Sequence, residues 1–506
     1  MSFAEIFSNV GIIFQDPWLI LLVAAGIWVG MYVGAIPGLT GTMAASLLIS
    51  FTYTWDVLPA LAVMVGVHVG CAYGGSRAAI LINIPGAPCA IATAFDGYPM
   101  AKKGLAAKAL VTTLVQSVLG GILATVIFLA ATPLISKIAL QFASRDYLML
   151  AMMGLLLVAT LGNGSTWKSL FSGALGLLIG CVGMDATFGT KRFTFGITYL
   201  QSGIGFVVAM IGLFGFAEIL MQARDIQTTA IVKQDVDKLK IDFHEIRKHW
   251  KLTLTSSVMG AFIGALPGTG GDIAALFAYD TAKRMTKNPE VPFGEGAIEG
   301  LIAPESANNA TVPAAYIPML TLGIPGDGYA AIVIGALYIH GLNPGPTLPS
   351  TNPEIVGVIA ACLILSNIFL LIAGFTGIKA FAKIVEIPKS ILLPIIATLC
   401  VIGSFALNRS MVDVCIMVGF GVVGYIMRRH DFPVAPMILG IILCQLFEWN
   451  FRRMLQLSHN NMGEALAAIW GSPISTILFI ALIASILVKT PVWTKLKSCF
   501  RKNKEN

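Results

Sequence analysis

The chain has 506 residues, 56% hydrophobic and only 12% charged, with a net charge of +7 and a mean hydropathy of +0.82. Soluble domains carry roughly a quarter charged residues, so this composition excludes an ordinary soluble domain and points to a polytopic membrane protein. The basic residues lie in loops, so the positive balance is not a nucleic-acid footprint.

Several apolar windows have about the length needed to cross roughly 30 Å of hydrocarbon. They are Trp18–Ala35, Leu110–Ala131, Tyr147–Leu161, Gly203–Met221, Glu354–Phe381, Met411–Met427 and Ile474–Val488. No Lys or Arg precedes the first window, so it reads as a retained membrane segment and not a cleavable signal. The eight cysteines are scattered with no C-x-x-C, which suggests neither a disulfide framework nor a zinc site. The polar loop Ala223–Lys251 and the C-terminal tail are both basic, and the positive-inside rule assigns both to the cytoplasm. The N-terminal stretch carries acids without bases and is assigned to the outside.

The sequence repeats its own punctuation. Laying Gly34 on Gly264 matches seven of twelve positions: Gly34/Gly264, Ala35/Ala265, Pro37/Pro267, Gly38/Gly268, Gly41/Gly271, Ala44/Ala274 and Ala45/Ala275. A second pair follows, INIPGAP at Ile82–Pro88 and LGIPGDG at Leu322–Gly328. Residues 1–222 and 252–490 therefore read as two membrane repeats, with 223–251 as a polar linker and 491–506 as a basic tail. The expectation is an all-α polytopic membrane protein of two repeated halves in inverted topology. Its helices are broken or re-entrant at the Pro-Gly motifs, and about ten to twelve spans are expected.

Proline removes a backbone donor and clashes with the preceding turn. Glycine lets the chain leave helical geometry. Irregular backbone inside a bilayer is tolerated only where protein buries it or water reaches it. Four breaks, two in each half, therefore mark a lined cavity, and matched interruptions are the sequence sign of a transporter site. A helix restarting after Pro-Gly has free N–H groups and a positive dipole end, which attract an anion. Gly38, Thr40, Gly41 and Thr42 after the first break, and Gly268, Thr269, Gly270 and Gly271 after the third, form surfaces suited to carboxylate oxygens. The carbonyls exposed before each break suit Na⁺.

Asp272, with Gly326 and Asp327 of the fourth break, is the candidate cation-coupling set, because intramembrane acids are costly and usually functional. A dipole-friendly cap is the alternative for Asp272. Between the breaks, Ser76, Arg77 and Asn83 in the first half and Ser306, Asn308 and Asn309 in the second are candidate substrate-binding residues, with Glu305 adjacent. Arg77 suits a bidentate carboxylate clamp, against snorkelling to the interface. The Ser/Asn cluster could equally cap a helix.

HEIRKHW at His244–Trp250 lacks the second histidine of a zinc-protease motif, and GTGGD lacks the lysine and spacing of a P-loop. His68 and His340 fall in apolar stretches and read as packing residues, with proton relay as the alternative; Asp185, Asp413 and Glu448 read as lying near span ends. No nucleophile–base or metal-ligand constellation is evident, so neither enzyme activity nor a cofactor is expected. An ion channel or a non-transporting scaffold is the alternative reading. A channel predicts charge rings or filter carbonyls repeated around subunits, whereas this repeat is twofold within one chain.

These stretches resemble the large membrane subunit of the tripartite tricarboxylate transporters, the TctA type. The carrying motifs are GAIPGLTGT, YGGSRAAILINIPG and DGYPMAKKG, then GALPGTGGD, APESANNA, LTLGIPG and IHGLNPGP. One departure is Pro313-Ala314, where a Gly-Gly pair analogous to Gly74-Gly75 is expected. The resemblance implies carboxylate uptake across a bacterial or archaeal cytoplasmic membrane, with citrate, dicarboxylates or aromatic acids as substrates. It implies a small four-span membrane partner, an extracytoplasmic solute-binding protein, and coupling to a Na⁺ gradient, or to H⁺, without ATP.

Overall fold

The computed structural model describes residues 8–36, 39–83, 85–161, 165–185, 189–224, 241, 243–267, 270–377 and 389–488. The break residues Gly38, Gly268 and Thr269, most of the polar linker and the basic tail lie outside that set. Helices dominate, as the composition requires. Among the described residues the only sheet is the antiparallel pair β1 (Gly183–Met184) and β2 (Lys191–Arg192).

The first half runs α1 (Pro17–Ala35), α2 (Gly41–Thr52), α3 (Val57–Ile82), a 3₁₀ turn Pro88–Ala90 that leads into α4 (Ile91–Lys102), and α5 (Ala106–Ala139). Next come α6 (Ser144–Leu161), α7 (Thr166–Gly180), the β pair, and α8, which runs Phe206–Met210, a π-helical stretch Ile211–Phe216, and Ala217–Arg224. The second half runs α9 (Phe243–Lys248), α10 (Trp250–Gly264), α11 (Gly270–Met285), α12 (Glu299–Leu322), α13 (Gly328–Ile339) and α14 (Pro353–Thr376). It finishes with α15 (Lys389–Asn408), α16 (Met411–Arg429), α17 (Ala435–Leu457), α18 (Met462–Ala468) and α19 (Pro473–Val488).

Six of the described helices are long and apolar enough to cross a membrane, namely α1, α3, α5, α8, α14 and α16; the bent segment Met462–Gly471 plus Pro473–Ile483 makes a seventh if it is one span. This is fewer than ten to twelve, for two physical reasons. The helices that restart at breaks are short: α2 and α13 have 12 residues each, about 18 Å at 1.5 Å per residue. By contrast α12 has length but not apolarity, carrying Glu299, Glu305, Ser306, Asn308, Asn309 and Thr311. Every residue of α12 from Glu299 to Thr321 is buried, so protein, not lipid, is its solvent.

The chain divides into two compact units, Met1–Lys137 with Val207–Ile426, and Ile138–Phe206 with Met427–Asn506. The first draws on both sequence halves and holds every described candidate site residue.

Within that first unit, glycines set the helix pairing. α1 and α3 run parallel, with Gly26, Gly30 and Gly34 against Gly66, Gly70 and Gly74. A Cβ at Gly34 would stand 2.6 Å from the Cys71 carbonyl oxygen, and one at Gly70 2.6 Å from that of Ile27. This is small-xxx-small packing, in which backbones approach too closely for any side chain. α10 and α12 do the same: a Cβ at Gly260 would strike the Ala307 carbonyl, and one at Gly264 would lie 2.6 Å from Thr311 Cα. Because each pair is parallel, the chain between its members must turn back, and the break with α2 or α11 supplies that return.

In the second unit α7 and α17 form another glycine seam, Gly173 and Gly176 against Gly440 and Met437. Here Arg192 of β2 pairs with Glu448 and lies 3.5 Å from Asp185, while Arg452 reaches Asp185 at 2.5 Å and Glu448 at 2.6 Å. Asp185 sits just after β1 and Glu448 lies well inside α17, so the network ties the hairpin to that helix.

Candidate functional site

Three helix starts from both halves meet in the first unit. Thr40 caps α2: its Oγ1 accepts from the Met43 N–H at 3.2 Å and shares a hydrogen with Thr42 Oγ1 at 2.9 Å. Asp327 caps α13 and accepts from the Ala330 N–H at 2.7 Å. α11 starts at Gly270, whose φ of +61° favours glycine. A Cβ at Gly270 would lie 3.8 Å from Asp327 Cβ, one at Gly328 would lie 3.1 Å from Thr42 Cγ2, and one at Gly41 would lie 3.5 Å from Tyr329. A side chain at Gly271 would strike Asn308 Oδ1. Thr40, Gly41, Thr42, Gly270, Gly271, Asn308 and Asp327 are therefore neighbours. Three positive helix ends converge on them.

The two halves make the same contacts at their breaks. A Cβ at Gly86 would strike the Gly34 carbonyl oxygen and sit 3.0 Å from Gly75 Cα; one at Gly326 would sit 2.5 Å from the Gly264 carbonyl oxygen and 2.6 Å from Ala315 Cα. α3 ends on Asn83 in the left-handed region at φ 56°, and α12 ends on Gly323 at φ 72°. Each partner is 230 or 240 residues from its counterpart. Asn83 is thus the residue that terminates α3, and its side chain is exposed. Pro313 and Ala314 are buried in α12, and Ala315 stands where Gly75 stands in the first half.

Asp272 is partly buried in the first turn of α11. Its carboxylate has no hydrogen-bond or ion-pair partner among the described residues. Asp327 is already engaged: beside its cap bond, its Oδ2 lies 3.2 Å from His68 Nε2. With a proton on Nε2 toward Asp327, the neutral ring's Nδ1 accepts from the Tyr316 hydroxyl at 3.2 Å. The ring stacks on Tyr329 at 3.9 Å between centroids, and Tyr329 donates to the Met64 carbonyl at 2.7 Å. His68 is thus a member of the site and not filler. The sequence signal was a lone histidine in an apolar helix, which periodicity cannot tell from packing.

The remaining candidates lie along a second polar seam. Ser76 donates to Glu305 at 2.5 Å. Arg77, 2% exposed, donates to the Gly374 carbonyl at 2.7 Å and stacks over Tyr73 at 4.9 Å, so it does not snorkel. Ser306 donates to the Ile302 carbonyl and to Gln116 Oε1, while Asn308 donates to the Ala72 carbonyl at 2.9 Å. Asn309 is 2% exposed, and neither amide atom has a partner among the described residues.

Asp96 opens the DGYPMAKKG stretch, and that stretch alone gives it no role. Its Oδ1 accepts from the N–H groups of Gly294, Gly296 and Ala297 at 2.8–2.9 Å, and its Oδ2 from the Tyr279 hydroxyl at 2.8 Å. It latches the loop that leads to α12. Among the described residues one cluster has metal-ligand spacing, Cys181, Cys444 and Glu448 in the second unit. Glu448 is already held there by two arginines, and that charge set disfavours a cation.

The model of the tripartite tricarboxylate transporter TctA family matches residues 20–439. A 52.8 kDa uncharacterised protein of Agrobacterium vitis, from the TAR-I ttuC' 3' region, is 34% identical over 490 residues, covering 96% of this chain and 97% of that protein. Another Agrobacterium vitis protein, from the TAR-II ttuC' 3' region, is 34% identical over 232 residues, covering 46% of this chain and 94% of its own. No solved structure matches. With the family model spanning most of the chain and one relative aligned end to end, this multi-pass membrane protein belongs to the tripartite tricarboxylate transporter TctA family.

Proposed function

We propose that this chain is the permease subunit of a secondary carrier that imports carboxylates, delivered by an extracytoplasmic solute-binding protein and driven by a cation gradient. It works beside a small four-span membrane subunit in a bacterial or archaeal cytoplasmic membrane, and performs no covalent chemistry. The observation that carries this reading is the meeting of the α2, α11 and α13 starts, with the Thr40 and Thr42 hydroxyls, inside one unit. Helix starts offer N–H groups and positive dipole ends to an anion, and irregular backbone at membrane depth belongs beside a cavity.

Asp272 is the residue for the cation, Na⁺ first and H⁺ second, because its carboxylate is uncommitted where Asp327 is held by His68 and Ala330. The matched contacts at Gly34/Gly86 and Gly264/Gly326 support two repeats, and inverted topology would give the exchange between outward and inward states its two similar endpoints.

The test is uptake into proteoliposomes holding both membrane subunits, with the matching binding protein outside. Labelled citrate, succinate and an aromatic acid are offered under separate Na⁺ and H⁺ gradients. Accumulation of at least one under a gradient is expected, and entry of none would overturn the reading. Asp272→Asn should raise the Na⁺ concentration for half-maximal uptake about tenfold, about 1.4 kcal/mol of coupling. An unchanged Na⁺ dependence would remove Asp272 from the cation site.

A further inference from the structure

Glu305 is buried completely in the middle of α12, and its carboxylate is caged by hydroxyls from three other helical segments. Ser76 of α3 and Thr93 of α4 each donate to Oε1 at 2.5 Å, and Ser117 of α5 donates to Oε2 at 2.9 Å. Among the described residues no Lys, Arg or His lies within ion-pair distance of it. One turn further along α12, on the same face, Asn309 holds both amide atoms without a partner. A fully buried acid without an ion-pair partner is a candidate functional group. Buried polar atoms left unpaired call for an explanation.

We propose that Glu305 is a proton-binding site of this chain, with Ser76, Thr93 and Ser117 as its hydroxyl cage and Asn309 marking the polar approach to it. Each hydroxyl oxygen is at hydrogen-bond distance from a carboxylate oxygen, so a proton joins this network without moving an oxygen. Binding places one hydrogen on Oε2, and the Ser117 hydroxyl turns from donor to acceptor. No other bond is made or broken.

Tyr73 faces the site from α3 with Arg77 packed on its ring, Cys89 faces it from the 3₁₀ turn that leads into α4, and Asp272 lies beyond Cys89 on α11. Asp96, farther along α4, is held by its loop. From α5 come the neutral Thr113, Gln116 and Ser117. The site is separate from Asp272, so a proton here and a metal cation there do not compete for one carboxylate.

As a transport site this rests on the carrier reading above; as a proton site it does not, and two measurements separate them. The first is infrared difference spectroscopy of the purified full chain, titrated from acid to alkaline pH. A carboxylic-acid C=O band should appear on acidification, be absent in Glu305→Gln, and move in frequency in Ser117→Ala. If wild type and Glu305→Gln give the same bands, the proposal fails whatever the chain transports. The second compares exchange with net accumulation in proteoliposomes, using whichever labelled acid the wild type moves. Glu305→Gln mimics the protonated form and cannot release its proton, so the ratio of pH-driven accumulation to exchange should fall at least about tenfold. Retained accumulation overturns the coupling role, and a wild type that neither exchanges nor accumulates overturns the carrier reading alone. If Glu305→Gln does not assemble, Ser117→Ala decides: its accumulation-versus-pH profile should shift to higher pH, because one donor to the anion is gone, and an unshifted profile counts against the site.

Discussion

His68 interrupts an apolar stretch of α3, and its burial would be costly without the two polar partners its ring nitrogens find. Those partners come from α12 and from the cap of α13, some 250 residues away in sequence. Replacing it by Ala leaves the Asp327 Oδ2 and the Tyr316 hydroxyl without that partner. Leaving a buried polar group without its hydrogen-bond partner costs about 1–3 kcal/mol, so His68→Ala should lower the denaturation midpoint and cut uptake about tenfold, with His68→Gln restoring part of both. A thermal scan beside the proteoliposome assay measures it. Wild-type values for His68→Ala would return the residue to packing.

Two kinds of construction hold the helices around the site. One is steric: Gly34 and Gly264 let α1 and α10 lie against α3 and α12, and Gly86 and Gly326 then seat each second break on the carbonyl of the glycine that ends the first helix. The other is a polar anchor. Asp96 receives three backbone N–H groups of the loop before α12 and the hydroxyl of Tyr279, while Lys103 donates to the Glu295 carbonyl in the same loop. Asp96→Ala strands three loop donors, of which the buried Gly296 and Ala297 N–H groups each cost about 1–3 kcal/mol without a partner. Loss of the ordered loop is expected, read as faster amide exchange at residues 294–297 and lower yield of folded protein. Unchanged exchange there would show that the loop is held by its own turn chemistry.

For the molecule as a whole, the charge pattern predicts a topology. The described end of the linker carries exposed Arg247 and Lys248 just before α10, and Trp250 with Lys251 sits where an aromatic–basic interfacial belt is expected. The Lys248–Glu290 pair ties this end to the segment after α11; the partnership holds the Glu290 carboxyl below, and the Lys248 amine above, their usual ranges. A reporter that fluoresces only in the cytoplasm, fused after residue 506, should be bright, because the C-terminal tail is basic. A dark fusion with full-length protein in the membrane would reverse the orientation.

What the sequence determined by itself rests on local rules. Composition settled the membrane class, Pro-Gly chemistry located the interruptions, and the duplicated motifs GAIPG/GALPG and INIPG/LGIPG pointed to paired breaks and to the family. Those signals are legible because each depends on a residue's own backbone or on transfer from water. The tertiary structure alone decided which polar side chains meet. Arg77 reaches a helix-end carbonyl, Glu305 draws hydroxyls from three segments, and His68 pairs with Asp327. It also reduced the spanning helices, because α12 is wrapped in protein and α2 and α13 are half-length. Such contacts join residues up to about 300 positions apart in sequence. A side chain's partner in a packed interior is set by how helices cross, and no local pattern encodes that.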